Sequence, residues 1–302
     1  MERKQKQLWI LLGILLLLLA GWLGLRKFNQ KQEEEQEAKD AEAVVYATDL
    51  KNVEAVRYEA GEDVFSFEKQ DGNWTYTQDP DFPLKQSFPE GLVLTFGKLT
   101  ADRELSDGDK PEDYGLTEPA YTVWLRESGG EDVCLNFGNM TGDCYYMRNE
   151  NTGKIYTVSS TAVQSLDSTL ESMAQLDEYP NIGSGNLKKE VIRQNGKETV
   201  YDSENEEDEL HIASVAGGLG AVSLDTVADY SVEDEALSGF GLDGESRITV
   251  EATYTEQEEE KLLTLYIGKE DGNGNRYVML NESRIVYLIK TEVCNNILNV
   301  EE

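Results

Sequence analysis

Histidine is the side chain that most often acts as a general base or metal ligand near neutral pH, and this chain contains one, His211. A nucleophile–histidine–carboxylate arrangement would have to be built on this residue. Its neighbours Leu210 and Ile212 are apolar, and no Gly-x-Ser-x-Gly motif occurs in the sequence. Zinc sites need clustered Cys and His, which the sequence does not provide. The pattern favours a structural histidine, and we expect no catalytic, cofactor-binding or metal-binding residue.

The run Asp271-Gly272-Asn273-Gly274-Asn275 is the strongest candidate for cation binding. Taken as the start of an EF-hand loop, it places oxygen ligands at the first, third and fifth positions and Glu282 at the twelfth. The sixth position, which requires glycine, is Arg276, and strand patterns rather than helices flank the run. We therefore favour a hairpin turn, with a calcium loop as the alternative.

The run Ala216-Gly217-Gly218-Leu219-Gly220 has the composition of a phosphate-binding loop. Such loops open a helix, so that its N-terminal N–H groups meet the anion, and a P-loop continues with Lys-Ser or Lys-Thr. Here the glycines end a helical pattern and no such pair follows. The run is therefore interpreted as a C-terminal helix cap.

Aromatic residues are frequent in the predicted strands of the first half of the chain. Alternation along a strand buries about half of them, and the remainder could form a binding face because aromatic residues are enriched at interfaces. The residues concerned are Trp74, Tyr76, Tyr121, Trp124, Tyr145, Tyr146 and Tyr156.

The elements that position these residues occur twice, because the second half of the chain repeats the first. Tyr114-Gly115-Leu116 recurs as Phe240-Gly241-Leu242. A repeat of this length indicates a duplicated domain rather than a solenoid unit of about 20–50 residues. The later landmarks pair as Leu135-Asn136-Phe137-Gly138 with Leu265-Tyr266-Ile267-Gly268, Tyr145-Tyr146-Met147 with Tyr277-Val278-Met279, and Ile155-Tyr156 with Val286-Tyr287.

The hydrophobic patterns predict an α+β fold for each copy. Asp71-Gly72-Asn73 and Asn195-Gly196 are typical of tight hairpin turns, so neighbouring strands should be antiparallel. We expect two tandem duplicated domains, residues 44–178 and 179–302, each a mainly antiparallel β-meander with helices packed on one face. Strand patterns cover 121–125, 133–137, 145–148 and 155–158, then 248–255, 261–267, 277–280 and 285–289.

Helical patterns with a single apolar stripe accompany both sets of strands. The first carries Phe88, Leu92, Phe96 and Leu99, and a third helix occupies residues 210–219. A short last helix begins near Thr291. The second helix should begin at Ser159 or Ser160 and carry the stripe Val163, Leu166, Leu170, Met173 and Leu176.

Three cysteines are too few for a disulfide framework. Cys134 and Cys144 flank a predicted hairpin and could face each other, whereas Cys294 falls in a helical pattern. The second copy has Thr264 and Arg276 at the corresponding places, so the fold does not require a bridge. We favour free thiols, with a Cys134–Cys144 disulfide as the alternative.

An uncharged, leucine-rich run covers residues 8–25, from Leu8 to Leu25. At about 1.5 Å per residue it just matches a hydrocarbon core of about 30 Å, which predicts a transmembrane anchor within residues 1–27. A cleaved signal peptide is disfavoured because the nearest Ala-x-Ala pattern, at Ala41, comes too late. A charged spacer follows at 28–43, and we expect the remaining chain outside the cytoplasm, as long domains translocate largely regardless of charge.

The chain carries 59 acidic and 27 basic residues, a formal net charge of −32. Such a field repels nucleic acid and anionic headgroups and could attract cations or a basic partner. A solvated acidic exterior is the favoured interpretation.

The repeated order of turn, strands and helix resembles the domain-of-unknown-function family 4340, bacterial proteins with an N-terminal membrane anchor. Tyr114-Gly115-Leu116-Thr117-Glu118-Pro119 matches the hallmark turn of that family, whereas the second copy has Gly244-Glu245 in place of the proline. Members are often encoded beside ABC transporters of the gliding-motility type. The resemblance implies an extracytoplasmic accessory subunit of such a complex, and the family supplies no catalytic residues.

The sequence thus predicts a membrane-anchored, extracytoplasmic, non-enzymatic protein that binds a partner such as an ABC transporter permease. The alternative is a cell-surface protein that binds a ligand or cation. In either case, a specific site is expected either where the two copies differ or in the cleft between them.

Overall fold

The computed structural model describes residues 26–27, 44–105 and 110–300 of the 302-residue chain. The predicted anchor at 8–25 and the predicted spacer at 28–43 lie outside these residues. Among the residues described, no helix is both long enough and apolar enough to cross a bilayer.

Seventeen strands are distributed over the described residues. Those of the first repeat, with the strands that precede it, are β1 (Val45–Tyr46), β2 (Val53–Ala60), β3 (Asp63–Gln70), β4 (Asn73–Tyr76), β5 (Thr100–Ala101), β6 (Arg103–Glu104), β7 (Tyr121–Glu127), β8 (Asp132–Thr141), β9 (Cys144–Asn149) and β10 (Ile155–Ser159). Those of the second repeat are β11 (Leu187–Gln194), β12 (Lys197–Asp202), β13 (Val227–Asp229), β14 (Ile248–Glu256), β15 (Glu259–Glu270), β16 (Asn275–Leu280) and β17 (Val286–Lys290).

Helices separate the strands at corresponding places in the two repeats. The α-helices are α1 (Ser87–Gly97), α2 (Leu170–Met173), α3 (Glu209–Gly220), α4 (Leu237–Phe240) and α5 (Thr291–Ile297). Short 3-10 helices cover Pro111–Tyr114, Ser160–Asp167, Glu206–Asp208 and Asp234–Ala236.

The strand orders show the duplication directly. The first large sheet has the order β4-β3-β2-β7-β8-β9-β10-β6, and the second has the order β12-β11-β14-β15-β16-β17-β13. With β4 set aside, the two orders match strand for strand, and the central pairs β7–β8 and β14–β15 are both antiparallel. A small β1–β5 pair completes the sheets. The predicted α+β class with two antiparallel repeats is confirmed.

The described chain divides into two compact units. The first unit consists of the described residues up to Val64 together with Gly91–Asp167. The second consists of Phe65–Glu90 together with the described residues from Ser168 onward. The predicted domain limits at 44–178 and 179–302 stay a prediction.

The first unit is built around the inward-facing residues of β7, β8 and β9. Val123, Leu135 and Met147 are fully buried, as alternation requires of strands with one face on a core. The Phe96 ring of α1 meets the Phe137 ring edge-on at 5.8 Å. Burying one side chain of this size stabilises the fold by about 1.5–3 kcal/mol.

The core of the second unit lies between its sheet and α3. Ile212, Val215 and Leu219 recur along one face of α3, and all three are buried against the sheet. The α5 helix adds Cys294 and Ile297 to the same cluster. The stripe predicted for residues 210–219 therefore packs as expected.

The structure corrects one detail of the repeat alignment. Phe137 pairs with Met147, and the equivalent Ile267 pairs with Val278 rather than with Met279. Tyr146 is therefore equivalent to Tyr277, one residue from the correspondence the sequence predicts. Because side chains alternate between the faces of a strand, a slip of one residue would have exchanged the core and outer faces.

The helix predicted from Ser159 or Ser160 is wrong in its type. Ser160–Asp167 forms a 3-10 helix, and a separate short helix starts after Thr169. Thr169 has extended backbone angles and closes a capping box with Ser172, which interrupts the helix between the two segments. Val163 and Leu166 are nonetheless buried, as their spacing predicts.

Candidate functional site

The first repeat presents a mixed aromatic and basic surface on the side of its sheet away from the core. Strand register places Arg57 beside Trp124, and Asn136 beside Arg148. Tyr146 lies on the same side of β9 as Arg148 because the two are two residues apart. We call this surface the outer face of repeat one, defined by Arg57, Trp124, Asn136, Tyr146 and Arg148.

Arg57 and Trp124 form a stacked pair at one side of this face. The guanidinium carbon of Arg57 lies 4.4 Å from the centroid of the Trp124 ring. The same guanidinium pairs with Glu59, and about half of the Arg57 side chain is exposed. A cation held over an indole ring in this way keeps its remaining N–H groups available to a partner.

The other side of the outer face is a polar group centred on Glu150. The Asn136 side-chain amide donates to Glu150 Oε1 at 2.9 Å, and Arg148 Nη1 lies 3.3 Å from Glu150 Oε2. The Nε atom of Arg148 is buried and has no hydrogen-bond partner among the described residues. Glu150 therefore holds the Arg148 side chain in place, while the Nε–H group of Arg148 has no acceptor among the described residues.

An aromatic pair docks the hallmark turn onto each sheet. The rings of Tyr114 and Tyr146 lie 4.3 Å apart in repeat one, and those of Phe240 and Tyr277 lie 5.0 Å apart in repeat two. Because the same contact occurs in both repeats, we assign Tyr146 a structural role, which is to hold the turn against the sheet.

Repeat two uses the equivalent surface differently. Met279 stands where Arg148 stands in repeat one, and Tyr266 stands where Asn136 stands. Met279 is buried in a small apolar cluster, and Arg247 lies 3.9 Å from the Tyr266 ring centroid. The two copies therefore differ in composition at this face. The buried members of the cluster are Val232, Leu242, Met279 and Val286.

All three cysteines are free thiols. Cys134 pairs in register with Trp124, whereas Cys144 pairs with Thr141 at the far end of β8. About seven residues at roughly 3.3 Å each separate these places, far beyond the reach of a disulfide. The alternative of a Cys134–Cys144 bridge is therefore wrong.

The thiols lie in surroundings that suppress thiolate formation. Burial, followed by the nearby carboxylates beginning with Glu150, raises the pKa of Cys134 to about 11. Cys144 donates to Asp102 Oδ2 at 3.1 Å, and this bond is the main cause of a raised pKa for that thiol. Burial raises the pKa of Cys294 to about 11. None of the three has the electropositive setting of a nucleophilic cysteine.

His211 lies on the exposed side of α3. Its ring stacks on Tyr201 with centroids 4.9 Å apart, and the side-chain amide of Asn299 contacts its Nδ1. These contacts connect α3 to Tyr201 and Asn299, as expected for a structural histidine.

The Asp271 run forms the hairpin that the sequence favours. Asp271 Oδ1 accepts from the backbone N–H groups of Asn273 at 2.7 Å and Asn275 at 3.0 Å. Glu282 follows β16, so the whole strand separates it from Asp271 and the two carboxylates cannot form one EF-hand loop. No cluster of three or more His, Cys, Asp or Glu side chains suited to a metal occurs within 44–105 and 110–300.

The glycine run lies inside α3 rather than beyond its end. The helix continues to Gly220 and is capped by Ala221, so the predicted glycine cap is wrong. A Cβ on Gly218 would lie 2.6 Å from the backbone nitrogen of Ile297, whereas one on Gly217 would meet nothing within 4 Å. Gly218 is therefore required by the close approach of α3 and α5.

Sequence reasoning identified Trp124 and Tyr146 on the outer face of repeat one but missed Arg57 and Arg148. No local pattern distinguishes these arginines from other surface charges. Their positions relative to Trp124 and Tyr146 follow from the register of four strands, which only the assembled sheet defines.

Duplicated antiparallel α+β units with the same strand order define a tandem-repeat protein. The chain belongs to the family described as "Domain of unknown function (DUF4340)", whose model matches residues 74–219 and again residues 198–299. The family resemblance drawn from the hallmark turn is thereby confirmed. No curated protein and no solved structure matches the chain.

Proposed function

We propose that this protein is a membrane-anchored, extracytoplasmic and non-enzymatic subunit that binds a membrane subunit of an ABC-type transporter through the outer face of repeat one. The observation that carries the proposal is the grouping of Arg57, Trp124 and Arg148 on that face. Tryptophan and arginine are the residue types most enriched at the energetic centres of protein interfaces.

The electrostatic setting of the outer face supports a protein partner. Arg57 and Arg148 are each held by a neighbouring glutamate, so little side-chain freedom is lost when a partner binds. The exposed N–H groups of the two arginines suit carboxylate or backbone carbonyl acceptors on the partner. Trp124 supplies an aromatic ring beside these polar groups, and aromatic residues are enriched at interfaces.

The membrane location rests on the sequence of residues 8–25. An apolar run of that length, with Arg26 and Lys27 after it, suits a single membrane-spanning helix. A tether of this kind keeps the two repeats near integral membrane proteins and raises their effective concentration at the partner. The genes that often accompany the family suggest a transporter as that partner.

Co-purification of the full chain from membranes in a mild detergent tests the proposal. We expect a transporter membrane subunit to be recovered with the chain in a constant ratio over successive purification steps. Recovery of the chain alone, under conditions in which the transporter itself stays assembled, would contradict it.

A further inference from the structure

Repeat two has a carboxyl group inside its hydrophobic core. Glu190 on β11 is fully buried, with an exposed fraction of 0%. Neither of its carboxyl oxygens has a hydrogen-bond partner among the described residues. An ionised carboxylate in such a place loses its hydration without compensation, so the group is retained in its neutral form.

The equivalent position in repeat one is apolar. Strand register aligns Glu190 with Val56, and aligns its neighbour Ala252 with Leu125. The valine–leucine pair of one core is therefore replaced by a glutamate–alanine pair in the other. The longer glutamate therefore lies beside a smaller neighbour than the valine does.

The elements packed against Glu190 bring no cation to it. Tyr201 lies opposite on β12, and Ala252 lies opposite on β14. The α3 helix contributes Ile212, Val215, Ala216 and Leu219 to this core, and His211 is on its exposed side. The other titratable or charged groups at this core or its edge are Tyr179, Tyr254, Arg276, Tyr287 and Cys294.

Of the more distant groups, Arg276 and Tyr287 are engaged elsewhere, and burial raises the pKa values of Tyr179 and Cys294. Arg276 donates from Nε to the Gly268 carbonyl at 3.0 Å, and the Tyr287 hydroxyl donates to Asp177 at 2.8 Å. Burial raises the pKa of Tyr179 above its ordinary range. Glu190 is thus a buried carboxyl group whose charge can change between mildly acidic and alkaline pH.

We propose that Glu190 makes repeat two a proton-dependent element, closed by α3 while the carboxyl is neutral and opened at the α3–β11 contact when the carboxyl ionises. Repeat one, with Val56 at the same place, does not respond in this way.

The direction of the effect follows from linkage. Burial raises the pKa of Glu190 from an ordinary 4.5 to about 8 in the folded chain. The folded state therefore holds a proton that the unfolded state has lost between these two values, and folding weakens as the pH rises through that window. Below the window the closed state has its full stability, and above it the loss is complete.

Hydrogen exchange of the full chain in detergent, measured peptide by peptide and corrected for the intrinsic rate, tests this proposal. Between pH 5 and pH 9 we expect the opening constant of β11, β12 and α3 to rise by about a thousandfold relative to Glu190→Gln. Peptides from β2 and β7 of repeat one serve as the internal control, and Glu260→Gln, at an exposed glutamate on β15, serves as the charge control.

The double variant Glu190→Val with Ala252→Leu restores the residue pair of repeat one, and it keeps the test decisive if Glu190→Gln does not fold. It should abolish the pH dependence while leaving the exchange of repeat one unchanged. If the pH dependence of the wild type equals that of Glu190→Gln or that of the double variant, the proposal is overturned.

Discussion

Gly138 and Gly268 occupy the same place in the two repeats, next to the hallmark turn. A Cβ on Gly138 would lie 2.2 Å from the carbonyl oxygen of Tyr114, and one on Gly268 would lie 2.3 Å from that of Phe240. The turn also requires glycine at Gly115 and Gly241, whose φ angles are 71° and 67°. The repeated glycines therefore fix how each turn docks on its sheet.

Replacing Gly138 with alanine should destabilise the protein by about 1–3 kcal/mol, because either the turn or β8 must shift to admit the methyl group. Gly268→Ala should have a similar cost in repeat two. The check is urea unfolding followed by hydrogen exchange of the repeat concerned.

Gly91→Ala is the matched control, because a Cβ at Gly91 in α1 meets nothing within 4 Å. It should be neutral or stabilise the protein by up to about 1 kcal/mol, since alanine favours a helix over glycine. Equal destabilisation by Gly91→Ala and Gly138→Ala would show that the docking of the turn is not the cause.

The raised pKa values of the cysteines predict the reactivity of the individual thiols. Because the pKa values of Cys134 and Cys294 are raised to about 11, little thiolate is present at pH 8. Alkylation by iodoacetamide at that pH should be slower in the folded chain than in urea, by about tenfold or more. All three thiols should titrate in urea without reductant, and a titre of one thiol would contradict the free state of Cys134 and Cys144.

At the scale of elements, α3 and α5 are held together at a glycine. Gly218 lies against the backbone at Asn296 and Ile297, and a Cβ there would be 2.6 Å from the Ile297 nitrogen. Gly217, one residue earlier, is exposed and has open space around it. Alanine substitutions at these two adjacent glycines therefore distinguish the effect of helix propensity on stability from the effect of helix packing.

Gly218→Ala should separate α5 from α3 and cost about 1–3 kcal/mol, whereas Gly217→Ala should be neutral or mildly stabilising. Thermal unfolding of the two variants is the comparison, with hydrogen exchange at α5 as the local readout. Two variants of equal stability would mean that α5 does not pack on α3 as described.

The sequence predicted the tight turns, because the residues within a turn determine its conformation. Asp71-Gly72 and Asn195-Gly196 adopt the positive φ angles of the tight turns expected there. The turn between β14 and β15 has positive φ at Gln257 and Glu258, residues that carry no such signal. The short strands β6 and β13 were missed because two or three residues cannot show alternation.

Long-range register accounts for the features that sequence could not predict. Glu190 has the charge of a surface residue, and its burial follows only from its alignment with Val56 in the folded repeat. Likewise, Arg57 and Arg148 become parts of one surface because β7 and β8 lie between their strands. One more residue separates Ile267 from Val278 than separates Phe137 from Met147, which shifts the equivalence of β9 and β16 by one residue.

At the scale of the whole molecule, duplication provides one scaffold whose two copies differ in their surfaces and cores. Both repeats keep the turn, the strand glycine and the aromatic docking pair. Repeat one keeps a polar and aromatic outer face, while repeat two buries an apolar cluster at the equivalent surface and a carboxyl in its core. The charged groups of the outer face are partly exposed, so binding through them should weaken at high salt.

The most direct test of the proposed function compares two single substitutions at equivalent positions. Trp124→Ala removes the ring on which Arg57 stacks, and Glu251→Ala changes the corresponding position of β14 in repeat two. Both variants are expressed as full chains and purified in a mild detergent, and the amount of transporter membrane subunit recovered with each is measured. Trp124→Ala should lower that recovery by about tenfold or more, as loss of an interface centre does, and Glu251→Ala should leave it unchanged. Undiminished recovery with Trp124→Ala, in a chain that remains folded, would contradict the assignment of the outer face of repeat one as the partner-binding surface.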